Sequence, residues 1–389
     1  MDDDVQPRVS VILLAWRVPE GLSRAVAAVR AQVGAPAYEI VVVENGATPD
    51  VREAVRQAQP DRIVSSETNL GFGQGCNLGV ASSTGEYVVL LNDDAEPDPG
   101  WLRALVSVAD SDATVGGVGS LLLNPDGTLQ EAGSRVLPSG RTFRAGAGST
   151  LDEARAAGLL VRRDIDYGSA AALLLRRTAF DQVGGFDPRY TPAYYEDVDF
   201  SFRLHLAGWR VVFEPGAVVR HDANSSTRSN LAYLTFLDHR SLALFQDRWR
   251  EVLEQTPPAE AGPLIQAPIT DFGVVERPVD PAPVQATSGL VHPDVAVQYE
   301  AWLADAWRRE RARAESAEKQ LDDALQGAAR LLTNHEGLSE EHRLLHEQHA
   351  ALVQRHEDLD RANRLVVERL QKLENGLIRR TARAVLKRR

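Results

Sequence analysis

The strongest constraint on this chain is a series of short, β-rich apolar runs that end in polar or acidic residues. Val9–Ala15 reads Val-Ser-Val-Ile-Leu-Leu-Ala, Tyr38–Glu44 reads Tyr-Glu-Ile-Val-Val-Val-Glu, Arg62–Ser65 is shorter, and Tyr87–Asn92 reads Tyr-Val-Val-Leu-Leu-Asn. Continuous apolar runs of this length suit strands buried on both faces, as in a parallel sheet. Helix-forming stretches lie between them, about Gly21 to Gln32 and Asp50 to Gln59. The alternation predicts a doubly wound α/β domain over about Arg8 to Arg250. Ligands of such sheets sit beyond the carboxyl ends of the strands, so the polar residues there are the first candidates for a site.

Beyond this domain the pattern changes. Prolines scattered between about Gln255 and Pro293 predict an extended linker or a strap. From Ala296 to Leu377 there is no proline, and helix formers dominate. Leu331, Leu338, Leu345, Leu352, Leu359, Val366 and Leu373 recur every seventh residue, with Leu321, Ala328, His335, His342, His349, His356, Asn363 and Leu370 at the complementary a positions. This is a heptad seam, interrupted by glycine at 327, 337 and 376, and it predicts a coiled coil roughly 90 Å long. The end, Gly376 to Arg389, interleaves basic and apolar residues and has no acidic side chain. The expected segments are a catalytic-type α/β domain at 1–253, a linker at 254–295, a coiled coil at 296–375 and a basic amphipathic tail at 376–389.

The net charge of −12 argues against broad nucleic-acid binding, which needs a basic face. A single cysteine, Cys76, excludes an intrachain disulfide framework and a multi-cysteine metal site. Met1 to Gln6 is acidic and lacks the regions of a signal peptide, and no run of about 20 apolar residues is present. The expectation is a cytoplasmic protein. Its basic tail would suit an anionic inner leaflet of the plasma membrane, each Lys or Arg adding up to about 1 kcal/mol. A solvated, disordered end suits it equally.

Chemistry concentrates in the first domain. Leu90-Leu-Asn-Asp-Asp-Ala95 delivers acids at a strand end, where hard oxygen ligands suit Mg²⁺ or Mn²⁺ bridging phosphates. A turn capping a helix near Trp101 is the bland reading of the same residues. Tyr194-Tyr-Glu-Asp-Val-Asp-Phe200 places Glu196, Asp197 and Asp199 at a helix start, where the dipole favours carboxylates. Glu196 is expected to pair with Arg203, and Gly208 to stop the helix. One of the acids is a candidate general base. Val218-Val-Arg-His221 ends a β-rich run in a histidine. Glu67-Thr-Asn-Leu-Gly-Phe-Gly-Gln-Gly-Cys-Asn77 is glycine-rich before a helix, which would permit close backbone approach to a ligand.

Together with Val183-Gly-Gly-Phe-Asp187 and Ala207-Gly-Trp209, these motifs in this order resemble the family 2 glycosyltransferases of GT-A fold, in particular the rhamnosyltransferase-like branch. The resemblance covers about Val9 to His221. It implies a Rossmann-like nucleotide-diphospho-sugar transferase domain. By position it implies that Ala15, Glu44, Asn69, Gly71, Asn77, Asn92 and Asp93 bind the nucleotide. Asp94 and His221 would hold the metal, Asp197 would be the catalytic base, and Glu196 and Trp209 would lie on the acceptor side. Gly168 to Arg177 resembles the segment leading into that side. Glu44 stands where Asp is usual, Asn92 opens the DxD-type motif in place of Asp, and Ala15-Trp-Arg17 replaces Thr-Tyr-Asn.

The implied reaction is an inverting, metal-dependent transfer of a sugar from a nucleotide diphosphate to a hydroxyl of a glycan or lipid-linked glycan, in bacterial cell-surface polysaccharide synthesis. The rival reading is a catalytically silent sugar-nucleotide-binding domain on a coiled-coil scaffold. The seam implies a homo-oligomer, and the rival reading is a lone amphipathic helix or one packed on the catalytic domain. In a parallel dimer the a-position histidines would face their symmetry mates, and imidazolium pairs repel. A dimer that weakens as pH falls through about 6.5 is therefore expected. Identical sedimentation masses at about pH 8 and about pH 5.5 would sink it.

Overall fold

The computed structural model describes residues 6–222, 231–255, 293–334 and 339–386. The chain forms two compact units, Met1–Ala296 and Val297–Arg389. In the first, the elements run β1 (Val9–Ala15), α1 (Pro19–Arg30), β2 (Tyr38–Asn45), α2 (Pro49–Ala58), β3 (Arg62–Ser66), α3 (Phe72–Ala81), β4 (Tyr87–Asn92), β5 (Ala95–Pro97) and α4 (Trp101–Ser111). There follow β6 (Val115–Leu123), β7 (Leu129–Glu131), β8 (Ser134–Val136), β9 (Thr142–Arg144), α5 (Leu151–Ala156) and β10 (Arg163–Asp164). Then come β11 (Ala172–Arg176), α6 (Arg177–Val183), α7 (Glu196–Leu206), β12 (Arg210–His221), α8 (Leu231–Arg248) and α9 (Arg250–Gln255).

The main sheet has the order β10-β12-β6-β11-β4-β1-β2-β3. β3, β2, β1 and β4 are parallel, as their apolar runs predict. The fold is α/β, but the sheet is mixed rather than uniformly doubly wound, because β11 runs antiparallel between β4 and β6. The start of β11 therefore lies at the carboxyl ends of its neighbours. Both faces of the sheet are covered. Val9, Val11, Leu13 and Ala15 of β1 join a core with Leu22, Val26, Val55 and Leu105, while Ile12 joins the opposite core with Val80, Phe186 and Phe200. That division is the period-2 alternation of a strand buried on both sides.

The glycines of the Glu67–Asn77 motif pack closely against protein atoms on the side a Cβ would occupy. Gly71 has φ +81°, and a Cβ there would lie 2.8 Å from the Pro192 carbonyl oxygen. A Cβ on Gly73 would meet Phe186 at 2.9 Å, and one on Gly75 would meet Leu14 at 2.6 Å. A Cβ on Gly79 would run into Ile12. These glycines let α3 lie directly on the sheet and on the Phe186–Pro192 segment.

At the start of α7, Tyr194 and Tyr195 have φ of +74° and +66°. Non-glycine residues rarely adopt this region. Arg203 was expected to pair with Glu196, but it pairs with Asp199, one turn away, at 2.8 Å. Asp199 is fully buried and also engages Arg248 at 3.1 Å and the Trp249 indole N–H at 3.0 Å. It thereby ties α7 to α8 within a cluster of Tyr190, Tyr195, Phe202, Phe245 and Trp249. Gly208, with φ +87°, follows the end of α7 as expected.

The second unit is built on α10 (Pro293–Asn334) and α11 (Ser339–Leu386). Residues 335–338, with Gly337 and the seam residues His335 and Leu338, lie outside the described residues. Most of the expected linker, 256–292, also lies outside them. α11 runs through Gly376, so the basic tail continues the helix to Leu386. Seam residues Leu321, Leu352, His356, Leu359 and Asn363 line one cavity between α10 and α11, so part of the seam faces a helix of the same chain.

Removing a buried carboxylate strands its cationic partner. Asp199→Ala should lower unfolding free energy by about 3–5 kcal/mol in a denaturant titration. A loss below about 1 kcal/mol would mean that the aromatic cluster, not the ion network, holds α7 to α8.

Candidate functional site

The parallel strands deliver their last residues to one edge. Ala15 lies opposite Glu44, Glu44 opposite Ser65, and Leu14 opposite Asn92. Ala15 is fully buried in the core beneath this edge. The buried Glu44 accepts a 2.6 Å hydrogen bond from the Ser65 hydroxyl, which fixes its carboxylate. Asn69 shapes the adjoining loop by accepting from the Gly71 N–H at 2.8 Å and from the Asn45 amide at 3.2 Å. Asn77 is not brought to this edge as a free amide. Its Nδ2 donates to the Phe186 carbonyl and its Oδ1 accepts from the Phe186 N–H, both at 2.9 Å.

Asp93 and Asp94 follow β4. Burial, the neighbouring Asp94 charge and a compensating Trp16 N–H leave the Asp93 carboxyl pushed up to about 7. The turn does not cap the helix at Trp101, whose N-cap is Gly100 without a side-chain hydrogen bond. Instead β5 pairs with β12, placing Ala95 opposite His221. That register brings His221 Nε2 to 3.1 Å from Asp94 Oδ1 and 3.1 Å from the Asn92 amide nitrogen. The other ring nitrogen, Nδ1, is 2.7 Å from Gln130 Oε1.

A carboxylate oxygen and an imidazole nitrogen converging at this distance form a donor set that fits Mg²⁺ or Mn²⁺. Such ions use one or two protein ligands and fill the rest of their sphere with waters and phosphate oxygens. Among the described residues no group of three or more His, Cys, Asp or Glu side chains converges for a metal, so an all-protein cage is not what the site offers.

The acids of α7 lie beside this edge. The Ala170 N–H donates to Asp197 Oδ2 at 3.1 Å, and the Val198 N–H donates to Oδ1 at 2.9 Å. The next residue, Ala171, accepts from the Asn92 N–H at 3.0 Å through its carbonyl. Two consecutive residues ahead of β11 therefore join Asp197 to the strand end that carries Asp93 and Asp94. Burial raises the pKa of Asp197, while its two backbone donors hold it down. Burial and the Asp197 charge push Glu196 well above the ordinary range. Its Oε2 has no hydrogen-bond partner among the described residues. Of the two, Asp197 has the backbone donors that favour its charged form, and Glu196 is pushed up by burial and by that charge.

Two functional-site residues were not foreseen. Gln130 and Glu131 are consecutive on β7, with Gln130 on His221 and Glu131 near Asp197. Burial pushes Glu131 up to about 7, against a lowering hydrogen bond from Ser134. The signal available was a buried-looking polar pair after the Asn124–Gly127 turn, which motif reading passes over. Trp209 is not brought to the site. It precedes β12 at the end opposite His221, and its indole donates to Gln182 at 2.9 Å.

The sequence model described as Glycosyl transferase family 2 matches residues 10–183. N-acetylglucosaminyl-diphospho-decaprenol L-rhamnosyltransferase of Mycobacterium tuberculosis is 32% identical, in a match covering 56% of this chain and 78% of that protein. O-antigen biosynthesis protein RfbC of Myxococcus xanthus is 31% identical, over 58% of this chain and 18% of its own. A mannosyltransferase from Pyrobaculum calidifontis, solved with GDP-Man and Mn²⁺, gives a TM-score of 0.47 at 17% identity, covering 90% of this chain and 86% of that one. That last likeness is too distant to bear on the chemistry here.

A carboxyl whose folded pKa is raised favours the fold below its unfolded value and disfavours it as pH climbs through the folded one. For Glu196 the unfolded value is near 4.5, so the penalty develops above it. Glu196→Gln should therefore raise Tm relative to the parent at about pH 8 more than at about pH 4.5. Equal differences at both would place the proton elsewhere.

Proposed function

The chain belongs to glycosyl transferase family 2 and is a nucleotide-sugar glycosyltransferase, and we propose that it works by a single inverting, metal-assisted displacement onto an acceptor hydroxyl. The observation that carries this reading is the backbone link through Ala170 and Ala171 between Asp197 and the Asn92–Asp94 strand end. It holds a base and a diphosphate site together on one rigid edge.

In this reading the nucleoside lies over Ala15 and Glu44, with Asn92 and Asp93 toward ribose and diphosphate. Asp94 and His221 would hold the divalent ion, which when bound neutralises charge developing on the departing diphosphate. Asp197 accepts the proton of the acceptor hydroxyl as its oxygen bonds to the anomeric carbon and the bond to the diphosphate breaks. One displacement inverts the configuration, and no carboxylate nucleophile is required. Glu196 keeps its own proton, so Asp197 does not face a second negative charge.

The Mycobacterium relative is named for a diphospho-decaprenol acceptor, and we extend a lipid-linked diphosphate sugar to this chain, in cell-surface polysaccharide synthesis. The β8–β9 hairpin supports that choice. Arg144 lies opposite Ser134 and near Glu131. Phe143 and Arg144 are exposed on β9, Arg141 is exposed just before it, and neither arginine forms an ion pair among the described residues. Among the described residues no helix is long and apolar enough to cross a membrane, so a lipid acceptor would be met from the surface. Leu359 and Val366 remain exposed on α11, a ridge on which a second copy would pack.

Calorimetry with UDP-, dTDP- and GDP-sugars, with and without Mn²⁺, tests the reading. Metal-dependent binding of one nucleotide is expected. Asp197→Asn should lower kcat about 10²–10⁴-fold while leaving donor affinity unchanged. No nucleotide binding by folded protein would favour the silent scaffold, and near-normal transfer by Asp197→Asn would remove the base assignment.

A further inference from the structure

We propose that Gln130 is a positioning residue that sets the tautomer of His221 and so aims its Nε2 lone pair at the cation. The proposal rests on the reading that Asp94 and His221 hold a divalent ion, but the tautomer itself can be measured without one.

The argument starts from groups whose hydrogen-bonding role is fixed. A backbone carbonyl only accepts. The Leu129 carbonyl is 3.3 Å from the Asn124 side-chain amide nitrogen, which also donates to the Thr128 hydroxyl at 2.9 Å. Asn124 Oδ1 is thereby left as an acceptor. Gln130 Nε2 lies 3.3 Å from that oxygen and 3.4 Å from the His221 carbonyl. Both partners accept, so this end of Gln130 is the NH₂ group and the other end is the oxygen. Gln130 Oε1 lies 2.7 Å from His221 Nδ1, and an amide oxygen cannot donate. The proton therefore sits on Nδ1. Nε2 lies 3.1 Å from Asp94 Oδ1, an acceptor that a shared cation would bridge to its lone pair, and 3.1 Å from the Asn92 amide nitrogen.

This is the state a histidine ligand needs, neutral and with the ligating nitrogen unprotonated. The relay is rigid at its origin. Asn124 closes a turn in which its N–H donates to the Thr128 carbonyl at 2.8 Å and the Gly127 N–H returns to its own carbonyl at 2.9 Å. Gln130 is buried on β7, which pairs with β6. Gln130 is not among the side chains placed on the ion or the nucleotide, so its influence passes through His221.

The test uses the full chain. In metal-free protein, imidazole ¹⁵N shifts of His221, assigned by loss of its signal in His221→Asn, should report the Nδ1–H form. Gln130→Leu removes the acceptor and should mix the tautomers and weaken Mn²⁺ binding about 10–100-fold. Gln130→Glu keeps an oxygen acceptor facing Nδ1 and should retain the tautomer, while its second oxygen loses the donation to Asn124 Oδ1 and the His221 carbonyl. Far-UV circular dichroism should be unchanged in a folded Leu variant. An Nε2–H tautomer in the parent, or an unchanged tautomer in Gln130→Leu, overturns the proposal. If the parent shows the expected tautomer but binds no Mn²⁺, the metal reading fails while the role of Gln130 on the ring stands.

Discussion

The site depends on one antiparallel strand set among parallel ones. β11 runs against β4 and β6, so its first residues arrive where theirs end. The Ala171 carbonyl completes the hydrogen bonding of Asn92, and the Ala170 N–H holds Asp197. The spacing of a single residue along the backbone thus sets the separation between the proposed proton acceptor and the proposed diphosphate site. Backbone geometry is stiffer than any side-chain contact, so the two halves of the reaction share one reference frame.

Several acids crowd this region, and their surroundings give each a separate task. Asp199 is buried but compensated by Arg203 and Arg248, which makes it an anchor. Asp197 is supported by backbone N–H groups, which favour the charged form. Glu196 lacks such support at Oε2 and faces the Asp197 charge, so it stays protonated. Three carboxylates within one helical turn would otherwise repel each other. Unequal hydrogen bonding divides them into an anchor, the proposed base and a neighbour whose pKa is pushed up.

The strands, the helices between them and the acids at strand ends were legible in the sequence, because burial on both faces and helical amphipathicity leave one-dimensional periods. Asp94 and His221 meet as the motif order implies. What was not legible depends on contacts between distant residues. The glycines of α3 look like a ligand loop in one dimension, and only the packing against Leu14 and Phe186 shows why side chains are excluded. Arg203 could reach either Glu196 or Asp199 along the helix. The choice is set by Trp249 and Arg248, about 50 residues away in sequence. Gln130 carries no motif at all. Its place is set by the pairing of β7 with β6.

The paired tyrosines ahead of Glu196 have a wider meaning. Each occupies a backbone region in which glycine would be at ease, at a penalty of order 1–3 kcal/mol. Selection for rigidity alone would have relaxed that corner. Keeping bulky rings there implies that the fold gives up part of its stability margin for placement of the next two side chains. Consensus-guided thermostabilisation of this segment would therefore be in tension with turnover.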